Sequence, residues 1–422
     1  MTRGDFLRAT TAASAWWSMR GALPLAAFQA DTEWLDDRLD RVSRVIGAYD
    51  GQGIHRTGTD VDNRSAAWLL GQVKQIGIDG SLESFALDRV DPHACYVTAD
   101  DRRAEGVPLF DGTFTRDDGF IGRLGRPGST AEIALTDVDQ AGISSEGRGL
   151  AALRRGTHQA IVVVTGGAQP GLTPMNAAAF GEPLGVPVLQ VGSEHAEWLE
   201  ALAHSGAPLH FVAHATRTRV EAQNVVVSVG PRPGAPALPP MVVMTPRSGW
   251  WQCASERGGG LACWLEAMRA LAVSGSPRAA TFVASSGHEL GHLGLESFIH
   301  RRPELVKGAA AWVHLGANIG AARGRTRLQA SDDAIEQMAA AAMTRAGAGE
   351  QQRVPRGTVP AGEARNIHLG GGRYVSLLGS SPFFHSQADR WPVAVDAPAV
   401  SRFAAAVADV VVSLASVGTA AD

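Results

Sequence analysis

The C-terminal half of the chain alternates short apolar runs with amphipathic segments, and this alternation constrains the fold more than any other feature. The apolar runs predicted to be strands cover residues 224–229, 241–244, 279–284, 309–315 and 374–378. The segments predicted to be helices, from their helical spacing of apolar residues, cover 259–273, 293–300, 332–345 and 398–415. Strands separated by helices predict an α/β fold, in which helices cover both faces of a mostly parallel mixed sheet.

The residues ahead of this half divide into a helical part and a β-rich part. Helices are expected within 31–97, and the second of them presents an apolar face formed by Ala66, Leu69, Leu70, Val73 and Ile76. Residues 98–220 are rich in Gly, Asp and Arg, and they contain buried-strand signals at 160–164 and 185–191. We predict that 98–220 is an inserted β-rich domain, whereas 31–97 and 221–422 build the main α/β domain.

Residues 1–30 have the pattern of an export signal. The segment 2–8 is similar to the twin-arginine motif, with Gly4 in place of the second arginine, and the small residues at 27–30 suit a cleavage site. Because Arg20 interrupts the apolar run, the segment is too short to span a membrane. We therefore expect export to the periplasm, or a cytoplasmic location if the signal does not function. No other segment is long enough for a membrane span.

Charge and cysteine content narrow the class of partner. The formal net charge is −4, so there is no excess of basic residues to bind nucleic acid or an anionic membrane. The three cysteines, Cys95, Cys253 and Cys263, form no C-x-x-C pair and are too few for a disulfide framework. The expected partner is a small molecule that carries a carboxylate or an amide. The sequence sets no oligomeric state.

Segments rich in chemically useful side chains follow the predicted strands, where the functional groups of parallel sheets gather. These segments are 245–251 with 255–260, 286–292, 314–318 and 383–389. One of them, from His288 to His292, matches the H-E-x-x-H pattern, whose two histidines bind zinc when they lie one helical turn apart. Gly287, Gly291 and Gly294 disfavour a helix here at about 1 kcal/mol each, so we expect no zincin-type site.

The order of segments resembles that of the co-catalytic zinc aminopeptidases, the family of the bacterial leucyl aminopeptidases and glutamate carboxypeptidase. Residues 284–294, Ala-Ser-Ser-Gly-His-Glu-Leu-Gly-His-Leu-Gly, are similar to the family's strand, paired glutamates and Gly-rich turn. Residues 384–389 are similar to its late His-Thr-x-x-Asp segment. The resemblance implies a zinc exopeptidase fold with a protease-associated (PA-like) insert that ends near residues 224–227.

Carried over residue by residue, the family's site is largely replaced. The positions of its metal ligands hold, in chain order, Arg247, Gly249, Ser255 or Glu256, Glu289, Gly316 and His385. The position of its general base holds His288, and the loop before the last ligand reads Gly362-Glu363-Ala364. Two full metal positions are not expected, because Arg247 and Arg257 would place permanent cations beside dications.

Two interpretations of the replaced site stay open. In the first, one zinc ion is held by Glu289 and His385, with a third ligand from Glu256, His288 or His314, and water fills the open position. His288 could instead be the general base in place of the lost glutamate. Of the third ligands, Glu256 is the one we select.

In the second interpretation no metal binds. Arg247 then pairs with Glu289 or binds a substrate carboxylate, and His288 does acid–base work with His385. Such a site would support amide hydrolysis or C–N elimination from a carboxylated amine. The candidate catalytic residues are His288, Arg247, Ser248, Arg257 and His314. The candidate substrate-binding residues are Arg247, Arg257, Trp250 and Asn318.

The leading hypothesis is an exported hydrolase that cleaves a peptide-like C–N bond in a small carboxylate-bearing substrate. The alternatives are a metal-free C–N lyase and a non-catalytic protein that keeps the exopeptidase cleft as a ligand pocket. Several candidates also have structural readings: Glu289 could hold a strand end in a salt bridge, and Trp250 could pack in the core.

Overall fold

A computed structural model describes residues 38–144 and 148–416. The predicted export signal at 1–30 lies outside these residues. The strands are β1 Gly80–Ala99, β2 Arg102–Pro108, β3 Phe120–Gly125, β4 Ile133–Val138, β5 Ala160–Thr165, β6 Val188–Gly192, β7 Pro208–Val229, β8 Met241–Pro246, β9 Ala280–Ser285, β10 Trp312–Leu315, β11 Thr326–Ala330, β12 Gln352–Arg353 and β13 Tyr374–Gly379. The α-helices are α1 Arg38–Asp50, α2 Asp60–Gln75, α3 Gln140–Ser144, α4 Ala151–Arg154, α5 Ala196–Ser205, α6 Gly259–Ser274, α7 Leu293–Arg301, α8 Glu304–Gly308, α9 Asp333–Arg345, α10 Ala364–Leu369 and α11 Ala397–Ser416.

These strands join in one mixed sheet of 13 strands, in the order β1-β2-β6-β5-β4-β3-β7-β9-β8-β10-β13-β11-β12. Its centre is parallel: β8 pairs with both β9 and β10, and β10 pairs with β13. Antiparallel neighbours flank this centre, since β7 pairs with β9 and β11 pairs with β13. The predicted fold class, a mixed α/β sheet between helices, is confirmed.

Both faces of the sheet are covered by apolar cores. Because alternate residues of a strand point to opposite faces, neighbouring residues of one strand pack in different cores. In β8, Val243 packs in the core that contains α6 and α11, whereas Val242 packs against α7 and α10. Phe298 of α7 and Ile367 of α10 belong to this second core. Burial on both faces explains why β8 to β10 read as nearly continuous apolar runs.

A long antiparallel ribbon of β1 and β7 connects the main sheet to strands β2 to β6. The ribbon pairs from Gly80 opposite Val227 to Thr98 opposite His210, with a register shift between Pro92 and Ala94. Strands β2 to β6 have a core of their own, which β1 and β7 share. The sequence did not indicate a ribbon of this length, because its exposed half is polar. The boundaries 98–220 of an inserted domain stay a prediction.

The predicted helices at 259–273 and 332–345 are confirmed as α6 and α9 within two residues at each end. The His288–Leu290 segment is a single 3₁₀ turn, and left-handed glycines stand on both sides of it, Gly287 with φ 86° and Gly291 with φ 78°. The H-E-x-x-H motif therefore forms no zincin-type helix, as expected. Strand β11 was missed.

The expectation that no segment after residue 30 is long enough for a membrane span was wrong on length and composition, because helix α11 is long and apolar enough to cross one. Fully 56% of its most apolar window is buried in the protein, and its Val407 and Val411 belong to the main core. This is the environment of a core helix.

Candidate functional site

Arg247 directly follows β8 and is fully buried against helix α2. Its Nη1 donates to the Asp62 carbonyl oxygen at 2.5 Å and lies 2.8 Å from the Asp62 carboxylate, and its Nη2 donates to the Gln223 carbonyl at 2.8 Å. Burial raises the pKa of Asp62, and the Arg247 cation opposes that shift. The structure does not bring Arg247 to Glu289 or to a pocket, contrary to both roles suggested for it, because Asp62 and Gln223 already occupy its guanidinium.

Glu289 is a fully buried hydrogen-bond hub. Its Oε1 accepts from the Thr57 amide at 2.8 Å and from the Thr57 hydroxyl at 2.6 Å, and its Oε2 accepts from the Ser248 hydroxyl at 2.7 Å. Ser248 Oγ also accepts from the Gly287 amide at 2.8 Å. Glu289 thus joins three segments, and the hydroxyl of Ser248, a candidate catalytic residue, directs its proton at this carboxylate.

Glu256 lies beside an arginine in the loop before α6. Arg257 Nη2 is 2.6 Å from Glu256 Oε1, and His385 Nε2 is 3.5 Å from the same oxygen. Arg257 Nε donates to the Ser248 carbonyl at 2.6 Å, and His385 Nδ1 donates to the Pro174 carbonyl at 2.6 Å. Burial favours the neutral form of Glu256, but Arg257 and His385 hold the pKa of this carboxyl well below its usual range.

The pair of Arg257 with Glu256 bears on the interpretation that one ion is held by Glu289, Glu256 and His385. Within residues 38–144 and 148–416 those three do not form a metal-ligand group. Glu289 already accepts three hydrogen bonds from Thr57 and Ser248, and the charge of Glu256 is balanced by the cation of Arg257, which disfavours a dication beside it. Glu256 and Arg257 are each about 1% exposed, so the Arg257 guanidinium faces Glu256 and not the solvent.

The loop that carries Glu256 is held by a buried aspartate. Asp389 accepts from the Ser255 amide at 2.7 Å and from the Glu256 amide at 2.9 Å, which fixes the π-helical turn Ala254–Gly258 at the start of α6. Burial raises the pKa of Asp389 to about 7, and Glu256 adds to that shift. The segment 383–389, through Asp389, therefore positions the turn that carries Glu256.

The structure brings three histidines to the buried carboxylate of Glu363. His288 Nδ1 donates to Oε1 at 2.7 Å, and His314 Nε2 lies 3.3 Å from Oε2 while its Nδ1 accepts from the Ser376 hydroxyl at 2.8 Å. The His292 ring stacks on His288 with centroids 5.2 Å apart. We call Glu363, His288, His292 and His314 the Glu363 cluster.

Burial and neighbouring charges set which members of the Glu363 cluster are ionised. Burial favours the neutral form of Glu363, but His288 and His292 hold its pKa well below the usual range. Burial, assisted by the Arg257 cation, lowers the pKa of His288 to about 4. The arrangement at neutral pH is a carboxylate that accepts a hydrogen bond from a neutral imidazole.

Sequence reasoning missed the importance of Glu363 and His292. Glu363 was noted only as the middle residue of a loop, and His292 only as the end of an H-E-x-x-H motif. The usable signal was the position of residues 362–364 just before a helix that packs on the sheet, where the resembled family has the loop before its last metal ligand. The sequence contained no sign that His288 and His314 share this carboxylate.

His288 opens onto a small pocket of about 130 Å³. Asn318, a candidate substrate-binding residue, lines the same pocket and has left-handed backbone geometry with φ 62°. Asn176 also lines it, and its Oδ1 accepts from the Trp250 indole at 3.0 Å. Trp250 is 3% exposed, so it orients Asn176 from the core and does not stack on a substrate. A larger cleft of about 640 Å³ near Arg323 contains none of these histidines.

His55 lies in the turn before α2, and it stacks on Tyr49 with ring centroids 3.8 Å apart. Burial, with a contribution from the Arg247 cation, lowers the pKa of His55 to about 3. An unfolded chain binds a proton at this residue below about pH 6.5. Between these pH values the unfolded state binds one more proton, so His55 makes the protein less stable as the pH falls.

Replacing His55 with phenylalanine, which retains stacking on Tyr49, should remove this pH dependence. Between pH 6.5 and 4.5, the free energy of unfolding should fall less steeply in His55→Phe, by up to about 1.4 kcal/mol per pH unit. Urea unfolding at several pH values measures the slope. Parallel curves for the two proteins would show that His55 takes up its proton equally in both states.

Comparison with known proteins gives fold similarity to solved peptidase structures. A zinc aminopeptidase from Bacillus subtilis matches with a TM-score of 0.73 and 15% identity, over 91% of this chain and 96% of that one. A peptidase M28 precursor from Shewanella amazonensis matches with a TM-score of 0.74 and 14% identity, over 90% and 96%. An aminopeptidase from Aneurinibacillus sp. strain AM-1 matches at 0.66 and 14%, over 88% and 93%. No protein-family model and no curated protein sequence match the chain.

The fold is therefore that of these aminopeptidase structures, along nearly the whole length of both chains. At identities of 14–15% the likeness extends to the fold alone. The residues of the site must carry any argument about chemistry.

Proposed function

We propose that this protein is a hydrolase that cleaves a peptide-like C–N bond in a small carboxylate-bearing substrate, in the pocket lined by His288. The observation that carries the proposal is the 2.7 Å hydrogen bond from His288 Nδ1 to the buried carboxylate of Glu363. With Nδ1–H held in this way, the lone pair on Nε2 is available as a base. His288 occupies the position where the resembled family has its general base.

The residues support a direct hydrolytic sequence. His288 Nε2 takes a proton from a water molecule as its oxygen bonds to the amide carbon, and the carbonyl oxygen becomes an oxyanion. Glu363 stabilises the resulting imidazolium, as a carboxylate does for the histidine of a hydrolytic triad. The Asn176 amide nitrogen, whose oxygen is engaged by Trp250, has no partner among the described residues and can donate to the oxyanion. The C–N bond then breaks, and the imidazolium returns its proton to the leaving nitrogen.

One metal ion is a second candidate, favoured by a separate observation. One ligand atom each of His288, His292 and Glu363 lie within 4.8 Å of one another, and all three residues are buried. Two histidines and a glutamate are a donor set of catalytic zinc, and His292 Nδ1 lies 2.8 Å from Asn366 Oδ1, as a partner that orients a ligand would. The residues fit a single ion, which would lower the pKa of a bound water. A second ion beside Glu256 is disfavoured by the Arg257 cation.

Chelation separates these two candidates. We expect hydrolysis of a panel of N-acyl amino acids and dipeptides to survive dialysis against a chelator within about twofold, because His288 and Glu363 need no ion to act as a base. Metal analysis of the same sample establishes the zinc content. Activity that is lost on chelation, restored by zinc, and accompanied by loss of zinc binding in His292→Asn would instead support the one-ion site.

The same panel distinguishes the other classes of function. If the products are an amine and an unsaturated compound, and not an amine and a carboxylic acid, the protein is a C–N lyase. If no compound is turned over but small carboxylates raise the melting temperature, the protein is a binding protein with the exopeptidase fold. Export to the periplasm, proposed from residues 1–30, would place such a hydrolase among extracellular peptides and their fragments.

A further inference from the structure

We propose that Arg327 is the residue that binds the substrate carboxylate, an inference that rests on the hydrolase function proposed above. A carboxylate in a protein pocket calls for a cation, and the two arginines suggested from sequence are committed elsewhere. Arg247 pairs with Asp62, and Arg257 pairs with Glu256. Arg327 lines the same pocket as His288.

The side chain of Arg327 has the properties of a ligand-binding group. It is half-buried on β11, and no hydrogen bond or ion pair of its guanidinium is found with any described residue. A partly desolvated arginine without a counter-ion is costly, and an anionic ligand offsets that cost. Its planar fork matches both oxygens of a carboxylate.

The rest of the pocket leaves the charge of Arg327 uncompensated. No aspartate or glutamate is found among the described residues that line it. The other polar lining groups include Asn176, Asn318 and Ser381, which carry no charge. The Glu363 carboxylate is hydrogen-bonded to His288 and does not line the pocket, so the lining itself favours a ligand of negative charge.

The placement of the arginine also suits a small substrate. Arg327 lies on β11 opposite Leu378 of β13, and both line the pocket. The volume of about 130 Å³ is well below the roughly 300 Å³ at the lower end of drug-sized ligand sites. A short acid, such as an N-acylated amino acid, can be recognised at its carboxylate by Arg327 while its amide lies at His288.

The test compares the binding of an acid with that of its uncharged amide, in the wild-type protein and in two variants. N-acetylglycine and N-acetylglycinamide are the probes, and binding is measured by calorimetry on the full chain. Wild-type protein should bind the acid at least about tenfold more tightly than the amide, and Arg327→Gln should bind the acid roughly ten- to a hundredfold more weakly while amide binding is unchanged. Arg325→Gln is the matched control. This substitution removes the same charge, but from an exposed position outside the pocket.

Binding and turnover report on different claims. Equal acid affinity in wild type and Arg327→Gln, or no preference of the wild type for the acid over the amide, overturns the inference even if hydrolysis occurs. Binding of the acid that depends on Arg327, without turnover of any substrate, supports the inference and contradicts the hydrolase proposal. For any acid that is turned over, Arg327→Gln should raise KM by the same factor and change kcat by less than about threefold.

Discussion

Replacing Glu363 with glutamine should lower kcat for hydrolysis by about 10²–10⁴-fold, the usual contribution of a general base. Glutamine can still accept the hydrogen bond from His288 Nδ1, but it carries no charge to stabilise the imidazolium. His288→Asn should cause a loss of similar size. Since the two residues act as a unit, the double variant should lose little more than either single one.

Glu266→Gln is the matched control for this experiment. Glu266 is also a buried glutamate, 7% exposed, and it accepts from Arg41 at 2.8 and 2.7 Å, far from the His288 pocket. Its replacement should reduce stability and leave kcat within about twofold. Equal kcat values for Glu363→Gln and wild type, with both proteins folded by circular dichroism, would remove Glu363 from the catalytic machinery.

Breaking the Arg247–Asp62 pair should produce the largest loss of stability. Arg247→Met should lower the free energy of unfolding by about 3–5 kcal/mol, because it leaves the Asp62 carboxylate buried without a counter-charge. Both side chains are 0% exposed. Asp62 would retain only the Gly58 amide at 2.9 Å and the Ser286 hydroxyl at 2.7 Å.

The exposed pair of Arg345 and Asp409 is the control for this prediction. It has a similar separation of 2.7 Å, but its side chains are 59% and 38% exposed. Asp409→Asn should therefore cost less than about 1 kcal/mol. Urea unfolding of both variants gives the comparison, and a loss in Arg247→Met no greater than in Asp409→Asn would refute a structural role for the buried pair.

The period of apolar residues was enough to predict the sheet and its flanking helices. Strands such as β8 and helices such as α6 and α9 are encoded locally, because burial of a repeating face requires a repeating pattern. The β1–β7 ribbon escaped prediction since half of it faces solvent and is polar. The glycines at 287 and 291 correctly excluded a helix in the H-E-x-x-H motif.

The partners of the charged groups could not be predicted in the same way. Arg247, Arg257 and Arg327 are alike in sequence, yet one pairs with Asp62, one with Glu256, and one lines the pocket. Asp62 is 185 positions from Arg247, and no local pattern relates the two.

The residue sequence determined the fold class and the edge of the sheet where chemistry is expected, because both follow from local periodicity and from the ends of strands. The tertiary structure alone decided which candidates meet. Glu363 comes to His288 across 75 positions, whereas Glu289, adjacent to His288, turns away to Thr57 and Ser248. A charge is satisfied by whatever group folding brings within about 3 Å, and that distance depends on the packing of the whole chain.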